Sequence, residues 1–172
     1  YTTLFRSLRR LRREGFRYAY VLKSVEEVDS ATIERQPLWT DRCDDHGPFD
    51  IIGDVHGCHE ELVELLKALG YEIAVDPVSA RHPEGRKVVF LGDLVDRGPD
   101  SPGVLRLVMS MVREGTALCV PGNHDVKLMR KLKGRDVRIT HGLAETLAQL
   151  EEEPPEFCTE AAEFIDSLVS HY

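Results

Sequence analysis

The stretch FDIIGDVHGC, Phe49–Cys58, decides the fold. Phe49–Ile52 reads as a short buried strand. Gly53 ends it, and an acid and a histidine, Asp54 and His56, follow at once. The pattern returns in VVFLGDLVDRG (Val88–Gly98) and LCVPGNHD (Leu118–Asp125). There, strands expected over Val88–Leu91 and Ala117–Val120 run into Gly92 and Gly122. Between these runs the apolar spacing becomes helical. Leu62, Leu65, Leu66 and Leu69 share one side of His59–Leu69, which Gly70 ends. Val104, Leu105, Val108 and Val112 share one side of Ser101–Glu114. Strand alternating with helix predicts an α/β sheet with helices packed on it.

Further along, helices are expected over Val126–Lys133, Leu143–Glu151 and Glu160–Ser170, with EEEPPE as the connection between the last two. VDPVSARHPEGR, residues 75–86, reads as a loop. Toward the other end, LFRSLRRLRREGF reads as a helix, with Leu4, Leu8 and Leu11 on one side and Arg6, Arg9, Arg10, Arg12 and Arg13 around the rest. That basic face is a solvated surface or a contact for phosphate-bearing ligands. FRYAYVL alternates as a strand does. SVEEVDSATIERQPLW holds a short helix capped by Ser24, with Glu27 three residues on. The polar TDRCDDHGP marks a boundary near Gly47. It divides the chain into residues 1–47, a preceding segment and joint, and residues 48–172.

The chain of 172 residues is 42% hydrophobic, enough for one ordinary core and too little for two. A net charge of −8 excludes blanket electrostatic binding of nucleic acid and leaves carboxylates to hold cations. No stretch is long and apolar enough for a membrane span. Cys43, Cys58, Cys119 and Cys158 form no C-x-x-C pair, so reduced thiols in a cytoplasm are expected. Tyr1 opens the chain without an apolar signal core, which reads as a cut from something longer.

In open α/β sheets, ligands sit outside the carboxyl ends of the strands. All three glycine-acid signatures lie at such ends. Gly53, Gly92 and Gly122 would let Asp54, Asp93 and Asn123 project toward one point. Asp54 and His56 are two apart, so on extended backbone they face one side. Carboxylate, imidazole and amide oxygen without thiolate suit manganese, iron or zinc. A dinuclear centre, its ions ~3.5–4 Å apart, would relieve the repulsion among the carboxylates and favour phosphate-ester hydrolysis. Arg97 offers a planar fork for phosphate. His124 could protonate the leaving alkoxide if a carboxylate fixes its tautomer; Asp96 is the first candidate and Asp125 the second. Each signature alone is an ordinary turn. Their succession, each after an apolar run, carries the reading.

These residues resemble the calcineurin-like metallophosphoesterases, whose pattern is GD-x-HG, GD-x-x-(D/E)-RG and GNH(D/E). Here it stands as GDVHG at 53–57, GDLVDRG at 92–98 and GNHD at 122–125. The resemblance implies two sheets flanked by helices, of which this chain would hold the first half. It implies two divalent metal ions, manganese in first place with nickel or iron open. Asp54 and His56 would bind the first ion, Asp93 would bridge both and Asn123 would bind the second. Arg97 would hold the scissile phosphate, with Asn123 beside it, and His124 paired with Asp96 would sit over the leaving group. The family completes its site with later histidines. His141 and His171 do not match that pattern, and the chain is expected to stop before the strand that carries the next ligand.

REGFRYAYVL, PLWTDRCDDHGPFDIIGDVHGC and GRDVRITHGLAETLAQLE further resemble the bacterial polynucleotide kinase-phosphatases of RNA repair. That resemblance implies removal of 3′-phosphate or 2′,3′-cyclic phosphate from RNA ends. It also implies kinase and nucleotidyltransferase domains in the same polypeptide, with residues 1–47 as the kinase tail, and leaves a homodimer open. No phosphate loop of kinase type occurs. Three rivals stand beside it. Bis-nucleoside tetraphosphate hydrolases share GDVHGC, although the full VDRG, the HGLAETL segment and the kinase-like tail weigh against them. A protein serine/threonine phosphatase and a non-catalytic fragment complete the set.

Overall fold

The computed structural model describes residues 22–32 and 40–172. The chain divides into two compact units, Tyr1–Pro37 and Leu38–Tyr172. In the first, helix α1 (Val25–Asp29) begins as its capping residues dictate. The Glu27 N–H donates to Ser24 Oγ (3.2 Å), and the Glu27 carboxylate accepts the Lys23 N–H (2.6 Å). The arginine-rich helix expected over Leu4–Gly15 lies outside the described residues, as does the strand expected after it up to residue 21.

The second unit runs β1 (Phe49–Ile52), α2 (His59–Ala68), β2 (Glu72–Val75), β3 (Val78–Arg81), β4 (Lys87–Phe90), α3 (Ser101–Arg113), β5 (Ala117–Cys119), α4 (Asn123–Leu132), α5 (Leu143–Glu151) and α6 (Pro155–Ser167). β1, β4 and β5 form a parallel sheet in that order, with Phe49 opposite Lys87 and Val88 opposite Ala117. Parallel neighbours need crossovers, and the helical segments between the strands supply them. Because all three strands point the same way, their carboxyl ends fall along one edge. The loops after them, 53–58, 92–100 and 120–122, therefore become neighbours.

Val88 and Phe90 of the central strand are fully buried, packed in one cluster with Leu66, Val104, Leu105, Leu107 and Met111. Each such side chain contributes about 1.5–3 kcal/mol on leaving water. Asp100 caps α3 by accepting the Gly103 N–H at 2.7 Å. No helix among the described residues is long and apolar enough to cross a membrane.

Several expectations are corrected. Residues 75–86 are no plain loop: β2 and β3 form an antiparallel hairpin, Glu72 opposite Arg81 and Val75 opposite Val78. Ala80 is its one fully buried position, so the alternation that betrays a strand is faint. α6 starts at Pro155, within the presumed connection, because proline at a helix start forfeits no helical hydrogen bond. α4 starts three residues earlier than expected, at Asn123. Leu65 is exposed rather than inward, which leaves Leu62 and Leu66 as the buried side of α2.

Candidate active site

Four residues of the three loops hold left-handed backbone: His56 (φ 48°), Asp93 (51°), Asp96 (72°) and Arg97 (70°). For residues with a Cβ this costs on the order of 1–3 kcal/mol each and persists only where the surroundings enforce it. The enforcement is visible. The Val55 and His56 N–H groups both donate to Asp93 O (3.1 and 2.9 Å), and Gly57 N–H donates to Leu94 O (2.8 Å). The Asp100 N–H returns to Gly57 O (2.9 Å). Gly92, at φ 90°, abuts Gly122, and a Cβ on either would collide with the other loop's backbone. Gly53 differs from expectation: its φ is not left-handed, and a Cβ there would meet open space.

Asp54 and His56 were expected on extended backbone. The left-handed turn at His56 instead carries its ring inward, while the Asp54 side chain stays 69% exposed. His56 Nδ1 lies 3.0 Å from Val95 O, and a carbonyl only accepts, so Nδ1 carries the proton. In the neutral ring Nε2 then offers a lone pair, and it lies 3.8 Å from Asp54 Oδ2. A carbonyl behind the distal nitrogen is the usual support of a metal-binding imidazole. His56, Asp93 and His124 each bring one ligand atom within 4.8 Å of the others. Asp93 Oδ1 accepts the His124 N–H (3.0 Å), which leaves its second oxygen for a cation. Asn123, the first residue of α4, is exposed beside them. This donor set, without thiolate, fits divalent ions of the manganese-to-zinc series.

His124 is buried, and its ring packs edge-on against His56 with centroids 4.8 Å apart. Its Nδ1 lies 2.6 Å from Asp96 Oδ2, and Nε2 lies 3.5 Å from Arg97 Nη2. A carboxylate accepts and a guanidinium donates, so the proton sits on Nδ1 and the lone pair on Nε2. Of the two orienting carboxylates considered, Asp96 makes the contact. Asp125 instead braces the loops, since Oδ1 accepts the Leu94 N–H (2.9 Å) and Oδ2 the Gly122 N–H (2.8 Å). Burial pushes its pKa up, against the pull of those two donors. The sequence reading missed a third layer. Thr146 and Gln149 of α5 hydrogen-bond the loop that carries Asp96 and Arg97.

Fold and site together define a class, and the chain belongs to the calcineurin-like phosphoesterase family, whose model matches residues 47–163. Its α/β architecture agrees with that family, and the family implies divalent metal ions. Among characterised relatives, bis(5′-nucleosyl)-tetraphosphatase PrpE (asymmetrical) of Halalkalibacterium halodurans is 56% identical over 102 residues, 59% of this chain and 41% of that protein. The proteins of the same name from Geobacillus sp. and Bacillus subtilis are 51% identical over 107 residues and 50% over 105. They are covered to 43% and 42% of their lengths, by 62% and 60% of this chain. The chain thus spans about two-fifths of the length of these relatives. A yeast (Saccharomyces cerevisiae) protein serine/threonine phosphatase similar to human PP5 superposes with a TM-score of 0.47 at 20% identity, over 70% of this chain and 32% of that one.

The relatives overturn the resemblance to polynucleotide kinase-phosphatases. With it go the RNA-end substrate, RNA repair, and the kinase and nucleotidyltransferase domains as partners. The physical reason is plain. GDVHG, GDLVDRG and GNHD supply carboxylate, imidazole, amide and guanidinium groups, which suit cations and phosphate in general. They say nothing of what is attached to the phosphate.

Proposed function

We propose that this protein hydrolyses bis(5′-nucleosyl) tetraphosphates asymmetrically, to a nucleoside monophosphate and a nucleoside triphosphate. The observation that carries this is the 56% identity over 102 residues to a protein of that name. In this reading Asp54 and His56 would hold a first divalent ion, Asp93 would serve both ions and Asn123 would hold the second. Manganese is the first choice, with nickel or iron as alternatives. Ions bound there would acidify a water and screen the phosphate oxygens. Arg97, with Asn123 beside it, binds the reacting phosphate. His124 Nε2, 3.5 Å from Arg97, would take up a proton from solvent, with the Asp96 carboxylate on Nδ1 stabilising the imidazolium so formed, and would pass that proton to the departing oxygen. The phosphoesterase fold occupies residues 48–172, and residues 1–47 form a preceding segment. Free thiols at Cys43, Cys58, Cys119 and Cys158 favour a cytoplasmic setting.

Incubation with diadenosine tetraphosphate and manganese tests the reading, with products resolved by ion-exchange chromatography. AMP and ATP in equal amounts are expected. ADP as sole product overturns it, as does turnover of a phosphoserine peptide with the tetraphosphate left intact.

A further inference from the structure

We propose that Thr146 is a positioning residue for the His124–Asp96 pair, an inference that rests on the proton-donor role assigned to His124 above. Thr146 lies on α5, fully buried and out of reach of any substrate. Its hydroxyl is nonetheless the hub of a polar cluster. Oγ1 lies 2.8 Å from Asp96 Oδ1, 3.0 Å from the Asp96 backbone nitrogen and 3.2 Å from Ser101 Oγ. The carboxylate can only accept, so the single hydroxyl proton goes to Oδ1. The two lone pairs then receive the Asp96 N–H and the Ser101 hydroxyl proton. Every donor and acceptor at the hub is matched, and none is left to turn elsewhere.

The consequence falls on Asp96. Thr146 grips its backbone and its side chain at once, at a residue whose φ of 72° is intrinsically unfavourable. One carboxylate oxygen is committed to Thr146, so the other is presented to His124 Nδ1 at 2.6 Å. That contact fixes which imidazole nitrogen carries the proton and which way Nε2 faces. α5 is itself secured along the same loop. Gln149 accepts the Ser101 N–H (2.8 Å) and donates to Gly98 O (3.0 Å). At the start of the helix, Gly142 (φ 95°) lies so close to Arg97 that a Cβ would strike its backbone nitrogen. The helix therefore reads as a splint for the loop of Asp96 and Arg97. Thr146 is the point at which the splint touches the proton-transfer pair.

The test compares Thr146→Val, which keeps the volume and removes the hydroxyl, with Thr146→Ser, which keeps the hydroxyl. The readout is side-chain NMR of the 15N-histidine-labelled protein, without added metal. In the parent a far-downfield Nδ1–H resonance and a bare Nε2 are expected for His124. The Val variant should lose or broaden that resonance and show mixed tautomers, whereas the Ser variant should retain it. Leu105→Ala, a core change that leaves every polar partner of the cluster in place, should lower the melting temperature and keep the resonance. Should Thr146→Val not fold, Thr146→Ala set against Thr146→Ser reads the same difference. A kinetic counterpart is a kcat about tenfold lower on an alkyl phosphate, with an aryl phosphate nearly unaffected. The proposal is overturned if the hydroxyl-free variants keep the parental resonance, or if Leu105→Ala abolishes it equally. The NMR result does not depend on which phosphate compound is cut. Failure to cleave the tetraphosphate leaves this coupling standing, and loss of the coupling leaves the tetraphosphate reading standing.

Discussion

Asp125 accepts one backbone N–H on each carboxylate oxygen, from Leu94 and from Gly122, so one buried side chain ties the loop after β4 to the start of α4. Asp125→Ala should orphan both donors at about 1–3 kcal/mol each, and Asp125→Asn, with one acceptor left, should lose about half as much. Denaturant melts of the two variants read the difference. At His124 the expected outcome concerns the leaving group. His124→Ala should slow an alkyl phosphate by about 10²–10⁴-fold. A phosphoanhydride, whose leaving group is already stable as an anion, should lose far less. Equal losses on both would reject proton donation. His124 and Asp96 could be paired from sequence because an imidazole acid needs a carboxylate and the motifs offered two. The bracing by Asp125 could not be read, because a carboxylate beside a glycine turn looks alike whether it orients a ring or secures a loop. Thr146 was still less visible: 50 residues separate it from Asp96, and only α5 docking on the loop brings them together.

The same division holds for elements. β1, β4, β5, α3 and α5 were legible because each pairs a clear apolar pattern with a glycine, a cap or a polar break at its end. The β2–β3 hairpin was not, since its strands are four residues each and every position but Ala80 is exposed or half-buried, with Val75 at 87%. Such strands need the neighbouring α3 and α2 to define them, and sequence alone does not reveal those neighbours. β4 matters most for the site, because it lies between β1 and β5 and thereby aligns all three strand ends. Phe90, its last residue, is fully buried directly before the turn to Asp93. Phe90→Ala should cost about 3–5 kcal/mol of stability, and the cavity would lie beneath the metal-ligand loops. Its melt should therefore show a lower midpoint, and manganese affinity should weaken although no ligand has been touched.

For the whole molecule, metal and pH act as opposite levers. His56 and Asp93, two of the proposed metal ligands, are brought within reach of one another only in the folded chain, so a bound divalent ion stabilises by linkage. At a hundred times its dissociation constant the gain is about 2.7 kcal/mol. A rise in melting temperature with manganese, absent in Asp93→Asn, is the expected result. Acid works through carboxylates whose pKa values folding lowers. The Arg86 guanidinium, chiefly by hydrogen bonding, holds Asp50 below the usual carboxylate range, with the Tyr71 hydroxyl adding to it at 2.9 Å. Lys87 does the same for Asp45, and Arg106 for Glu153. A lowered folded pKa means that the unfolded chain takes up protons first as pH falls. The contribution of these groups is therefore complete above about pH 4, the ordinary carboxylate value. It drains away as pH drops through the lower folded values. Asp125, raised by burial, runs the other way: protonation on acidification relieves its cost and offsets part of the loss. Urea melts at pH 7, 5, 4 and 3 should show a plateau and then a decline below about pH 4. Asp50 sits on β1 and reaches Arg86 just before β4, so its ion pair spans the strand pairing itself. Asp50→Asn should accordingly be less stable at pH 7 and lose less between pH 4 and 3. An unchanged acid slope in that variant would show that Asp50 carries none of the pH dependence.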